Sequence, residues 1–257
     1  ALDLGKPLTS LQNQVKGLFV KYPKIDPQVF FIDVEDNSYI NINGTIPISA
    51  ASTIKVPILI AFFQDVDAGK VRLDEMLTFT PEVKGGGSGD IQYKAIGTKF
   101  TALETASKMI VISDNTATNM IITRLGGKDA LNKRFKEWGL KNTVINNPLP
   151  DLEGTNLTTT QDLTHVMLMV GKGELVSMKS RDRLLAIMRE TKTKTLLPKG
   201  LGAGATISHK TGDIGTIIGD VGLIDLPNGK RYIGSVMVKR AYNDPKGGEL
   251  IRNISKT

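Results

Sequence analysis

The chain has 257 residues, 40% hydrophobic and 23% charged, enough for one large domain or two interleaved ones with a sizeable buried core. It contains no cysteine, which excludes disulfides and thiolate metal sites, and no uninterrupted apolar run long enough to cross a bilayer. The formal net charge is +7, but Lys and Arg are scattered and aromatic residues make up only 5%, a poor match to a nucleic-acid-binding surface.

The densest basic stretch, residues 179–199, reads as the solvated side of a helix and its loop, with a weak attraction to an anionic polymer such as cell wall left open. The chain opens on Ala1, with no basic-then-apolar leader. The expectation is therefore a processed form of an exported protein, its signal removed.

Along the chain, Leu8, Leu11, Val15, Leu18 and Phe19 recur at helical spacing, and Pro23 ends that helix. Two strand-like runs follow at 29–34 and 39–42, separated by the turn-prone Asp36-Asn37-Ser38. The apolar run 56–63 reads as a buried helix, although Pro57 strains its first turns. Residues 85–89, Gly-Gly-Gly-Ser-Gly, suggest a flexible loop.

Thr101 and Glu104 form a capping box ahead of an apolar face made by Leu103, Ala106 and Ile110. Further helices are expected at 116–125, 129–138 and 161–170. The end returns to strands at 205–210, 217–226 and 231–239, the last two joined by the hairpin signal Pro227-Asn228-Gly229. A short helix at 248–255 closes the chain. The pattern predicts an α/β (α+β) protein. Residues 1–50 and 204–257 would build one sheet-and-helix lobe, 51–203 a helical lobe, and the site would lie in the cleft between them.

Three short runs carry the chemistry. Ser52 and Lys55 stand three residues apart, on one face of a helix start. Alone, the pair reads as a helix-capping serine with a surface lysine. In a site, backbone N–H groups at the helix start face a developing oxyanion, and the lysine deprotonates the serine once burial or a second cation lowers its proton affinity.

Ser113-Asp114-Asn115 sits between two helices, where all three residue types serve as ordinary caps. In a site, Ser113 relays a proton to the leaving group and Asn115 hydrogen-bonds a substrate amide, while Asp114 fixes the loop. Lys210-Thr211-Gly212 ends a strand. Lysine supplies a cation, threonine a hydroxyl donor, and glycine room for a substrate backbone, with the Asp213 N–H as a second oxyanion donor. Each run is weak alone. Together, in this order, they provide what acyl transfer through a serine ester requires.

That ordered set resembles the penicillin-recognising serine enzymes, specifically the class A β-lactamase-like branch. Support comes from Ser113 to Asn119, from Leu125-Gly126-Gly127 and from Thr158-Thr159-Thr160 ahead of a helix. The resemblance covers nearly the whole chain. It implies a β-lactamase/transpeptidase-like fold, with an antiparallel sheet built from both termini, flanked by helices, and an all-helical lobe inserted. It also implies Ser52 as the acylated residue, with Lys55, Ser113 and Lys210 in the proton and charge network. No cofactor or metal is implied.

Departures from the branch are informative. Class A β-lactamases carry a glutamate that activates water for deacylation in the loop before the threonine run. A gapless count from Trp138-Gly139-Leu140 puts Leu149 there, with Glu153 as the register alternative. The loop is short, and its usual arginine–aspartate staple is replaced by Asn147 and Leu157. The arginine expected on the strand after Lys-Thr-Gly is replaced by Gly219, leaving carboxylate recognition to Lys210 and Thr211.

The resemblance is therefore nearest to the short-loop penicillin-binding protein A group of cyanobacteria. It implies a serine D-alanyl-D-alanine carboxypeptidase acting on cell-wall stem peptides. Such an enzyme would be acylated by β-lactams, slow to deacylate, exported to the wall side of the membrane and monomeric. A class A β-lactamase, a non-enzymatic β-lactam sensor and a basic wall- or nucleic-acid-binding protein are the rival readings. His165 and His209 are too few, and lack partners in sequence, for a zinc site or a Ser-His-Asp triad; His209 alternates with Lys210 and should face the other way.

Overall fold

The computed structural model describes residues 2–257. The elements run α1 (Thr9–Leu18), β1 (Asp26–Asp33), β2 (Tyr39–Ile42), β3 (Ile48–Ser49), α2 (Lys55–Asp67), β4 (Met76–Thr78), β5 (Lys99–Thr101), α3 (Ala102–Val111), α4 (Asn115–Arg124) and α5 (Lys128–Glu137). The second half adds β6 (Leu157–Thr158), α6 (Thr160–Gly171), α7 (Met178–Arg189), α8 (Leu197–Gly200), β7 (Thr206–Asp213), β8 (Ile217–Asp225), β9 (Arg231–Lys239) and α9 (Lys246–Lys256).

Strand alternation explains the layering. Along β1, Val29 and Phe30 point to opposite faces, and both are fully buried. Phe30, Ile32, Val221, Leu223, Ile233 and Met237 join one apolar cluster with α2 and the other internal helices. Val29, Ile40, Ile218, Val236 and Val238 join a second cluster with Val15 of α1 and Leu250, Ile251 and Ile254 of α9. A sheet buried on both faces is the middle layer of three.

That sheet has the order β2-β1-β9-β8-β7, all antiparallel, so the two ends of the chain meet in its centre where β1 pairs with β9. β1 starts three residues before the sequence pattern suggests. Pro27 is accommodated because pairing with β2 begins only at Val29. β7 is the edge strand and extends to Asp213, carrying Lys210, Thr211 and Gly212 within the ladder.

Residues 51–203 are mainly helical; they contain the short ribbon β4–β5 and supply β6, which pairs with β3 just before them, and the sequence pattern discloses neither ribbon. α6 belongs physically to the sheet. Thr164 Oγ1 lies 2.9 Å from Ser235 Oγ, and Ser235 Oγ donates to Thr160 O at 2.7 Å. α2 is buried nearly all round, from Lys55 to Phe63. Pro57 is its third residue, where the missing N–H belongs to the unpaired first turn, so the helix is not broken.

Candidate active site

The site is assembled where three backbones converge. Ser52 lies in a short 3₁₀ turn, Ala51–Ile54, that runs directly into α2. Ala51 adopts φ +48 and Ser113 φ +54, left-handed conformations that cost a non-glycine residue about 1–3 kcal/mol each. At Ser113 this turn ends α3 and aims both its carbonyl and its hydroxyl at Lys55.

Lys55 is 0% exposed and has four neighbours: Ser52 Oγ at 3.0 Å, Ser113 Oγ at 2.8 Å, Ser113 O at 2.9 Å and Asn115 Oδ1 at 2.8 Å. The Asn115 orientation is fixed at its other end, where Nδ2 donates to Gly86 O at 2.9 Å. The Ser113 carbonyl and Asn115 Oδ1 can only accept, so they take two N–H groups of Lys55. A neutral amine then has its lone pair left for the two hydroxyls. Burial, then the nearby Lys210 cation, pushes Lys55 well below the ordinary lysine range, with Asp114 opposing. Ser113 Oγ also donates to Ser52 Oγ at 3.0 Å, which closes a triangle of two hydroxyls and one amine. Proton removal from Ser52 and proton return through Ser113 are both within hydrogen-bond reach.

Lys210 enters from β7 and is 1% exposed. Its Nζ donates to Thr211 O at 2.7 Å, and burial pushes its proton affinity down to about 8, with the Asp220 carboxylate opposing. The strand itself presses against the Ser52 turn. A Cβ added at Gly212 would stand 3.0 Å from Ser52 N and 3.2 Å from Thr53 N, so only glycine lets β7 approach this closely. Asp213 is the next residue and the last of β7. The Thr211 hydroxyl has no hydrogen-bond partner among the described residues.

Several expectations need correction. The glycine run at 85–89 is tied down rather than loose. Asp114 Oδ2 accepts from Asp90 N at 2.9 Å and Ile91 N at 3.0 Å, Thr116 Oγ1 accepts from Gly85 N at 3.0 Å, and Asn115 N donates to Ser88 O at 3.1 Å. Asp114 thus fixes the loop as well as capping α4 through Ala117 N.

Leu149 is buried in the main apolar cluster, and Asn119 clamps it. Its N–H donates to Asn119 Oδ1 at 2.9 Å, and Asn119 Nδ2 donates back to Leu149 O at 2.7 Å. Glu153, the register alternative, is solvent-exposed and lines a separate cleft of about 570 Å³ with Asp26, Gln28, Ser49 and Lys239, away from Lys55. The loop is stapled by Asn156 and Asp151, with Asn147 bonded to both Asn156 and Thr155. Asn156 Oδ1 accepts from Asn146 N and Asn147 N, while Asp151 accepts from Asn156 N and Thr155 Oγ1.

Sequence reasoning also missed two buried groups. Arg240 reaches the end of β7 and donates to Asp213 Oδ1 at 2.9 Å, Gly215 O at 2.8 Å and Asp244 O at 3.0 Å, so its guanidinium is engaged in holding that turn. His209 does have a partner, Asp220, whose Oδ1 lies 2.9 Å from Nδ1. Only the strand register, which brings the two residues together across β7 and β8, could have revealed it.

Known proteins give the same picture. Residues 10–257 match the β-lactamase enzyme family. The chain belongs to that family. β-Lactamase VEB-1 of Pseudomonas aeruginosa is 27% identical over 96% of this chain and 87% of its own. The solved structure of PBP-A superposes with a TM-score of 0.97 at 54% identity, covering 100% of this chain and 97% of that one. A leucine-to-glutamate mutant of PBP-A, solved as its acyl-enzyme complex with penicillin G, matches with a TM-score of 0.97 at 54% identity over 99% and 97%. The β-lactamase/transpeptidase-like fold and the class A-like kinship are therefore established, and with them membership of a family of serine hydrolases.

Proposed function

We propose that this family member is a penicillin-binding serine DD-peptidase that trims D-Ala-D-Ala from cell-wall stem peptides through an acyl-Ser52 intermediate. The observation that carries the reading is the Lys55 amine, buried and 3.0 Å from Ser52 Oγ, with no carboxylate hydrogen-bonded to either residue among the described residues. That amine is the base this reading assigns to acylation. A carboxylate able to drive water at the resulting ester is not among these contacts.

In the proposed mechanism Ser52 attacks the carbonyl of the penultimate D-Ala while Lys55 Nζ accepts its proton. The Ser52 and Asp213 N–H groups hold the oxyanion. Ser113 then returns a proton to the departing D-Ala nitrogen. Lys210 and Thr211 hold the substrate's terminal carboxylate, Gly212 leaves room for its backbone, and the second Asn115 N–H meets its amide. Penicillin presents the same carboxylate and a strained amide, and leaves an ester on Ser52. The likeness to PBP-A, one of whose structures is a penicillin G acyl-enzyme, supports β-lactam acylation. This chemistry belongs with export to the wall side of the membrane.

The test is intact-mass analysis over time after penicillin G exposure, run beside D-alanine release from a peptide ending in D-Ala-D-Ala. A long-lived adduct on Ser52 with measurable D-alanine release is expected. Rapid turnover of penicillin without accumulating adduct would instead make the protein a β-lactamase. A stable adduct without D-alanine release would leave it a sensor.

A further inference from the structure

The contacts assigned at Ser52 use only one end of the substrate, and they set its direction along β7. The terminal carboxylate lies at Lys210 and Thr211 and the scissile carbonyl at the Asp213 N–H. The residue ahead of D-Ala-D-Ala is therefore carried past Asp213 towards Ile214. Ile214 forms one wall of the cleft of about 570 Å³ that holds Glu153, and Ser49, three residues before Ser52, forms another. A Cβ added at Gly154 would stand 3.0 Å from Ser49 Oγ and 3.4 Å from Ile214 Cδ1, so the loop, the turn after β7 and the approach to Ser52 pack together there.

The lining of this cleft has two parts. Ile48, Leu157, Ile214 and Ile217 give it apolar walls, while Asp26, Glu153 and Lys239 stand exposed around it. Asp26 and Lys239 are register partners on β1 and β9, yet no ion pair joins any of the three charges among the described residues. Two carboxylates against one ammonium leave the lining net negative. Gln28, 6% exposed, adds a free acceptor: its Nε2 donates to Ile46 O at 2.8 Å, and its Oε1 has no partner among the described residues. The Ser49 hydroxyl is likewise unpartnered.

A buried amide oxygen without a donor is uncommon and calls for one. Apolar walls, surplus acceptors and a net negative charge suit one kind of side chain: a long aliphatic stem that ends in an ammonium. An acidic side chain would meet two carboxylates. A purely aliphatic one would fill the walls and leave the acceptors unpaired.

We propose that this cleft is the subsite for a basic residue placed directly ahead of D-Ala-D-Ala, its methylenes against the isoleucine walls and its ammonium held by Glu153, Asp26 and Gln28 Oε1. The assignment deepens the peptidase reading and rests on the substrate direction that reading sets. It makes Glu153 and Asp26 specificity-determining residues, and gives the loop glutamate a part in choosing the substrate rather than in deacylation.

The experiment measures D-alanine release from Nα-acetylated peptides X-D-Ala-D-Ala in which X is lysine or norleucine; norleucine keeps the stem and lacks the charge. The wild type should favour the lysine peptide by about tenfold in kcat/KM, the combined reach of two exposed ion pairs. That preference should shrink as salt is raised. In the double variant Asp26→Asn/Glu153→Gln the ratio should fall to about one, and in Glu153→Lys the lysine peptide should become the poorer substrate. Both side chains are exposed, so the fold does not depend on them. Equal rates for the two peptides in the wild type, or a lysine preference that survives the double variant, overturns the proposal and leaves the peptidase reading standing. Should neither peptide release D-alanine, the peptidase reading fails, and the two peptides are compared as competitors of penicillin G acylation. Equal competition then overturns the cleft assignment as well, and stronger competition by the lysine peptide upholds it.

Discussion

The Ser52 pocket and the 146–157 loop lie close together and are built on opposite principles. Around Ser52, ionisable groups are buried at a cost. Two lysines are enclosed, and two non-glycine residues are held in left-handed conformations. In the loop, Asn119, Asn156 and the Asp151 carboxylate staple the backbone, Leu149 fills the core, and the glutamate stands in solvent. The contrast teaches that making an acyl-enzyme and destroying it are separately equipped. Under the proposed mechanism this chain has invested in the first: the Ser52 hydroxyl has a buried amine and a second hydroxyl within hydrogen-bond reach, whereas the loop beyond the glycine run offers an apolar side chain.

The largest effect should come from removing the base on the well-equipped side. Lys55→Met leaves Ser52 with only Ser113 for a partner, and Ser113 is no base at neutral pH. Penicillin acylation should slow on the order of 10³-fold, within the range for loss of a general base. A rate within a factor of a few of wild type would mean that Lys55 is not the acceptor, and the contrast between the two regions would lose its chemical meaning.

A smaller effect should follow from equipping the poor side. Leu149→Glu places a carboxyl where the Asn119 clamp holds the backbone fixed. Deacylation of the penicillin adduct should accelerate by about 10²-fold, while acylation changes little. An unchanged adduct lifetime would move the water-activating position away from residue 149.

The same contrast decides what the sequence could disclose. Ser52 with Lys55, and the runs at 113–115 and 210–212, were legible because each is contiguous and its spacing implies a shared face. α1, α3 and the β8–β9 hairpin were legible from periodicity, caps and a turn. The partners of those runs were not. Asp220 meets His209 only through the β7–β8 register, and Asn119 meets Leu149 only because α4 runs beneath the loop. The glycine run reads as slack in sequence; its glycines instead allow close approach, since a Cβ at Gly87 would stand 3.0 Å from Asn115 Nδ2. Arg240 gave no clear local signal, because its partners Gly215 and Asp213 lie on a turn formed 25 or more residues earlier.

The smallest predicted effect concerns stability, and it again separates the two regions. Lys210 releases its proton at about 8 when folded and at 10.5 when unfolded, because burial opposes its charge. Between those values the unfolded chain binds the extra proton, so stability rises with pH. The contribution is complete above 10.5 and is lost as pH falls through about 8. Lys55 acts in the same direction. Urea unfolding of Lys210→Met between pH 8 and 10 should therefore show a slope of stability against pH shallower than wild type by up to about 1.4 kcal/mol per unit. The comparison variant on the loop side, Asn119→Ala, should lower stability by about 2 kcal/mol at every pH, because it strips hydrogen bonds from buried backbone without touching an ionisable group. Equal slopes in wild type and Lys210→Met would mean that Lys210 is charged to the same extent folded and unfolded, and that the strain attributed to the Ser52 side lies in its backbone alone.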